Sequence, residues 1–194
     1  NIESYTKTKI DSSLNDFWLQ SITEIGDIYI NNSSVLGVKS LDAATTKDGL
    51  LEHQEVISTF REVDILKFTT PKFFNTIFSP ILSTTDCNFY INIDDYFVFA
   101  NSESELQNII ASYQNGGTLN KNQLLKNNIS SMSDESSLLL VADANKLKQI
   151  ASNLFNLEAN KVNLNSYKFS TIQFVQDEDF MHVNININKK KSRA

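Results

Sequence analysis

Cysteine, histidine, proline and glycine are all scarce in this chain of 194 residues, and each shortage excludes some chemistry. The single cysteine, Cys87, leaves no internal disulfide to form. One cysteine with two histidines, His53 and His182, offers no zinc-ligand spacing. Five glycines and two prolines are too few for a flexible linker or a collagen-like repeat. Gly116-Gly117 follows a helical stripe instead of opening one, so it does not form the usual phosphate cradle. A G-x-S-x-G nucleophile element is missing. No apolar run reaches the roughly 20 residues that a bilayer-spanning helix needs. Positive charge is also short, with 17 basic residues against 23 acidic ones and a net charge of −6. Such a balance opposes phosphate backbones, so nucleic acid is not an expected partner. The one basic run, Lys189-Lys190-Lys191, reads as a solvated tail. No signal peptide is visible and the first residue is Asn1, so the chain reads as a processed or excised piece of a longer protein.

What is present is ordinary globular material, 41% hydrophobic and rich in phenylalanine, with 13. The chain is long enough to bury its own core, and its composition shows no break, so residues 1–194 read as a single domain. Ile2–Ile10 alternates like an edge strand. Leu14, Phe17, Trp18, Ile22 and Ile25 follow at helical spacing, with Gly26 as the stop. Asp27–Ile30 and Val35–Ser40 read as short strands, and Asp42 as the cap of a short helix. Glu55–Phe68 holds material for two strands, and Thr70-Pro71 opens a helix carrying Phe74, Ile77 and Phe78 that Pro80 ends. The strongest β signal is the hairpin Asn88–Ala100, with Asp94-Asp95 at its turn and Phe89, Ile91 and Ile93 on one face. Ser102 and Glu105 make a capping box for a helix with Leu106, Ile109, Ile110 and Tyr113. Asn120 is a candidate cap for a helix holding Leu124 and Leu125. Ser137–Ala142 suits a central strand, Asp143 caps a helix with Leu147, Ile150, Ala151 and Leu154, and Tyr167–Ile187 is a final hairpin. In its last strand Met181, Val183, Ile185 and Ile187 alternate with His182, Asn184, Asn186 and Asn188. Hairpins mixed with helices point to an α+β fold: a largely antiparallel sheet with helices packed on one face. Strand–turn–strand–helix recurs loosely along the chain.

Carboxylates are the remaining means of catalysis, in the clusters Asp94-Asp95 and Asp177-Glu178-Asp179. Both fall at predicted turns, where Asp serves local hydrogen bonds. Asp143 reads as a helix cap, Cys87 as a small buried hydrophobe, and neither histidine has a partner cluster. The residues therefore assign no catalytic, cofactor-binding or metal-binding position, and no cofactor.

Several segments resemble an uncharacterised bacterial family, a domain of unknown function found in envelope-associated proteins. The resemblance rests on Tyr96-Phe97-Val98-Phe99-Ala100-Asn101-Ser102, Leu106 and Gly117-Thr118-Leu119, and continues in Ser136-Ser137-Leu138-Leu139-Leu140-Val141-Ala142-Asp143. A weaker stretch is Trp18 with Glu24-Ile25-Gly26, Val38-Lys39-Ser40 and Asp42-Ala43. Relatives in Bacteroidetes look like long exported proteins or lipoproteins. The resemblance implies a fragment of such a protein, located in the periplasm or at the outer membrane, and it brings no functional residues. The expectation is a non-catalytic binding or interaction domain whose partner is a protein or ligand of the envelope. The alternative is a hydrolase using carboxylates from separate strands.

Overall fold

A computed structural model describes residues 21–30, 33–78, 86–143, 146 and 166–189. The chain divides into two compact units, Asn1–Asn115 and Gly116–Ala194, each with its own antiparallel sheet. The uniform composition had suggested one domain and one sheet. The boundary falls at the Gly116-Gly117 stop, a local signal that composition does not register. The coarse expectation of an α+β protein dominated by antiparallel sheet stands.

The first unit is built from hairpin–helix modules. Strands β1 (Ile22–Ile30) and β2 (Ser33–Ser40) lead into helix α1 (Ala43–Leu50). Strands β3 (Gln54–Phe60) and β4 (Val63–Phe68) lead into α2 (Phe73–Phe78). Strands β5 (Phe89–Ile93) and β6 (Tyr96–Ala100) lead into α3 (Glu103–Gln114). The loose recurrence in the sequence is this repeated module. In the six-stranded sheet the order is β1-β2-β6-β5-β4-β3, so the third hairpin lies between the first two.

Local chemistry explains the element ends. The Asp42 carboxylate accepts from the backbone N–H groups of Ala44 and Thr45 at 3.0 and 3.2 Å, capping α1 as expected. Glu105 accepts from the Ser102 N–H at 3.0 Å and completes the capping box of α3. Gly116, at φ +67°, takes the left-handed conformation that follows α3. Arg61 and Glu62 both have positive φ, which matches the twist of a tight two-residue hairpin.

Two expectations for this unit need correcting. Ile22–Gly26 is not the end of a helix but the start of β1, paired with β2 from Ile22↔Ser40 onward. Ile22 and Ile25 do have helical spacing, but Thr23, Ile25, Ile28 and Tyr29 favour a pleated strand, and the β2 partner decides the matter. The earlier part of that helix, with Trp18, lies outside the described residues, as do the Ile2–Ile10 strand, Pro80 and the helix after Asp143. The hairpin β5–β6 is buried on both faces. Tyr90 and Ile91 are adjacent, point to opposite faces, and are both buried. The expected one-faced helix packing does not describe this unit. One face carries Leu36, Val38, Phe68, Tyr90, Phe97 and Phe99 with Leu50 of α1 and Phe73 and Phe74 of α2. The other carries Val35, Ile65, Ile91, Val98 and Ala100 with Leu106 and Ile110 of α3. Strands covered on both sides lose their clean alternation.

The second unit opens with helix α4 (Gln123–Ile129), capped by Asn122 rather than Asn120: the Asn122 side-chain oxygen accepts from the N–H groups of Leu124 and Leu125 at 2.9 and 3.3 Å. Strands β7 (Leu138–Asp143), β8 (Tyr167–Asp177) and β9 (Phe180–Lys189) form a three-stranded sheet in that order. Among the described residues β7 is therefore an edge strand and not the expected central one. Its continuous apolar run came from two half-exposed faces, with Leu138 and Leu139 at 37% and 41% exposure.

Candidate functional site

The acidic clusters go to turns. Asp94 sits between β5 and β6 at φ 52°, with its backbone carbonyl held by the Asn92 side-chain amide at 2.9 Å and its carboxylate accepting from the Tyr113 hydroxyl. The Asp95 carbonyl accepts from the Ser40 N–H at 2.8 Å, tying this turn to β2. Asp177-Glu178-Asp179 makes the turn between β8 and β9, with Glu178 at φ 48°. His182 lies 3.8 Å from the Asp177 carboxylate, and both side chains are mostly exposed. His53 sits in a single 3-10 turn, and its carbonyl accepts from the Thr69 N–H at 3.1 Å. Asp143 is the last residue of β7. Among the described residues no group of three His, Cys, Asp or Glu side chains is arranged to hold a metal ion.

Cys87 is buried in the aromatic cluster of the first unit. Burial first, then the nearby Asp27 and Asp86 charges, push its thiol up to about 12. A nucleophilic cysteine needs the opposite shift. Asp27 itself was overlooked in the sequence. Burial raises its carboxyl from 3.8 to about 6. The available signal was an acid in the middle of the strand-forming run Ile22–Ile30.

The second sheet has the more unusual chemistry. Its alternation is as expected, but the polar side is the covered one. Thr171 and Gln173 are buried, and their register partners Asn186 and Asn184 are half-buried. Helix α4 closes over them, with Leu125 and Asn128 buried and the Asn128 amide donating to the Thr171 hydroxyl at 3.2 Å. Gln173 is fully used. Its amide donates to the carbonyls of Ser133 and Glu135 at 2.7 and 3.2 Å. Its side-chain oxygen accepts from the Ser133 N–H at 3.1 Å and the Asn184 amide at 3.0 Å. Burying Gln173 is tolerable because its groups are satisfied in this way, whereas the side-chain oxygen of Asn188, further along the same face, is buried without a hydrogen-bond partner.

The apolar side of β9 is left open. Met181, Val183, Ile185 and Ile187 are 61%, 47%, 58% and 44% exposed. β9 is also a ten-residue edge strand, paired only with β8 among the described residues. Edge strands are normally blunted by proline, inward charges, bulges or shortness. β9 has no proline, and its one strong charge, Lys189, is at its end. The irregularity in its ladder falls on β8, between Tyr167 and Phe169. This strand, with its row of apolar side chains and its unpaired backbone, is the candidate site. It suits recognition by main-chain pairing with side-chain pockets. No protein-family model, curated protein or solved structure matches the chain.

Proposed function

We propose that this chain is a non-catalytic interaction module of a bacterial cell-envelope protein, and that it binds a protein partner along strand β9. The single observation that carries the reading is the exposed row Met181, Val183, Ile185 and Ile187 on a sheet edge left open among the described residues. Isolated exposed apolar residues mean little, but four in register on one strand make a recognition element. The turn positions of Asp94-Asp95 and Asp177-Glu178-Asp179 support a non-catalytic role. The envelope setting draws on the resemblance of the Tyr96–Ser102 and Ser136–Asp143 segments to envelope-associated proteins.

The test is site-specific photo-crosslinking in an envelope fraction from the parent protein's host. A crosslinker placed at Ile185 is expected to trap a protein partner, and one at the exposed Val56 of β3 is not. Equal trapping at both positions would overturn the assignment. So would turnover of phosphoester, glycosidic or acyl substrates abolished by Asp94→Ala or Asp177→Ala in a folded protein.

A further inference from the structure

The chemistry of β9 is symmetric about its own middle. The strand runs Phe180-Met181-His182-Val183-Asn184-Ile185-Asn186-Ile187-Asn188-Lys189. When two copies lie antiparallel and Asn184 faces Asn184, Val183 falls opposite Ile185, Met181 opposite Ile187, and His182 opposite Asn186. From Met181 to Ile187 each apolar residue meets an apolar residue and each polar one a polar one, because such a pairing preserves the period of two, and only the end pair Phe180–Asn188 is mixed. The same register sets Asp179, in the turn that precedes β9, opposite Lys189 at its end. In the sequence the acidic run Asp177-Glu178-Asp179 and the basic run Lys189-Lys190-Lys191 are equally far from Asn184, so the match continues from 179/189 to 178/190 and 177/191. Lys190 and Lys191 lie outside the described residues, and the match at those positions is one of sequence alone.

We propose that the partner of β9 is a second copy of this chain, joined edge to edge by an antiparallel two-fold pairing centred on Asn184. The inference rests on the interaction reading above and names its occupant. Three features point to self-pairing over a foreign strand. The apolar row is self-complementary. Acid stands at one end and base at the other, so two copies attract when antiparallel and repel when parallel. A two-fold contact of this kind also closes on itself and does not propagate into a filament. The ladder from Phe180 to Asn188 would be about 30 Å long at the usual strand rise. Its product is a continuous sheet of six strands, two sets of β7-β8-β9 back to back at their open edges.

The experiment combines analytical ultracentrifugation with charge swapping and cysteine crosslinking in the full chain. The wild type is expected to dimerise at micromolar concentration. Lys189→Glu and Asp179→Lys should each weaken the dimer by roughly tenfold, since each places like charges opposite one another twice per dimer. The double variant should recover, and the two single variants mixed should pair with each other in preference to themselves. Asn184→Cys should form a disulfide-linked dimer on mild oxidation. His182→Cys should not, because the two His182 positions would be about 14 Å apart along the strands. The native Cys87 is buried and does not confuse the result. A chain that stays monomeric at high micromolar concentration overturns the inference, as does a dimer indifferent to the charge swaps or crosslinked equally at both positions. If the chain is monomeric while a crosslinker at Ile185 still traps a different protein, the interaction reading survives and only the self-pairing falls.

Discussion

Phe99 lies at the centre of the first unit's aromatic cluster, with ring centroids 4.6 Å from Phe74, 5.1 Å from Tyr90 and 5.3 Å from Phe68. It is fully buried, so Phe99→Ala is expected to cost about 3–5 kcal/mol in urea unfolding. Phe89, the residue that the alternation singled out, is only half-buried. Its replacement by Ala should cost less than half as much, and equal losses would contradict the placement of the core. Cys87 should react with a thiol reagent slowly in the native protein and rapidly after unfolding, given its burial and raised pKa. Asp27 gives a pH-dependent test. Its carboxyl is raised in the folded state, so the protein loses stability as pH rises from about 4 through about 6 and the buried group must ionise. Asp27→Asn should therefore unfold at higher temperature than wild type at pH 7, with the difference vanishing below pH 4. The gain expected after allowing for solvent at this half-open site is about 1 kcal/mol. A constant difference across that range would exclude Asp27 as the source.

At the level of elements, Gln173 joins β8, β9 and the Ser133–Glu135 segment through four hydrogen bonds. Gln173→Leu would leave the Ser133 N–H, the Asn184 amide and two carbonyls without their partner, at a cost of about 2–3 kcal/mol. Hydrogen exchange at Ser133 should accelerate in this variant, and unchanged exchange there would argue against the network. The hairpins β3–β4, β5–β6 and β8–β9 and the caps at Asp42 and Ser102 were legible in the sequence, because turns and caps depend on a few adjacent residues. Pairing partners were not legible. Ile22–Gly26 satisfies both a helical and a strand pattern, and only the presence of β2 decides between them. β7 looked central because Leu138-Leu139-Leu140-Val141 is apolar throughout, while its edge position depends on which strands come beside it. The row Met181 to Ile187 was read correctly as one face, but its exposure could not be read. That requires knowing that α4 covers the Asn and Gln side. The candidate site was thus present in the sequence as a pattern without a direction.

For the molecule as a whole, two compact units with separate sheets predict two unfolding transitions, not one. Hydrogen exchange in increasing denaturant should release β5–β6 and β8–β9 at different midpoints. A single coincident transition would mean that the units are thermodynamically one. The net charge of −6 predicts weak binding to nucleic acid at physiological salt. Sub-micromolar affinity for a random duplex would contradict this, and deleting residues 189–194 would tell whether the basic run alone is responsible.

The position of the third hairpin sets a timetable for synthesis. Hairpins β1–β2 and β3–β4 emerge from the ribosome first, yet they never touch each other as ladder neighbours in the finished sheet. Each must wait with one inner edge unpaired until Phe89–Ala100 has been made, because β6 docks on β2 and β5 on β4. A nascent chain stalled before Phe89 would thus hold two half-sheets with sticky inner borders and only part of the aromatic cluster to bury. It is at that moment, before the hairpin slots in, that the chain most needs a chaperone.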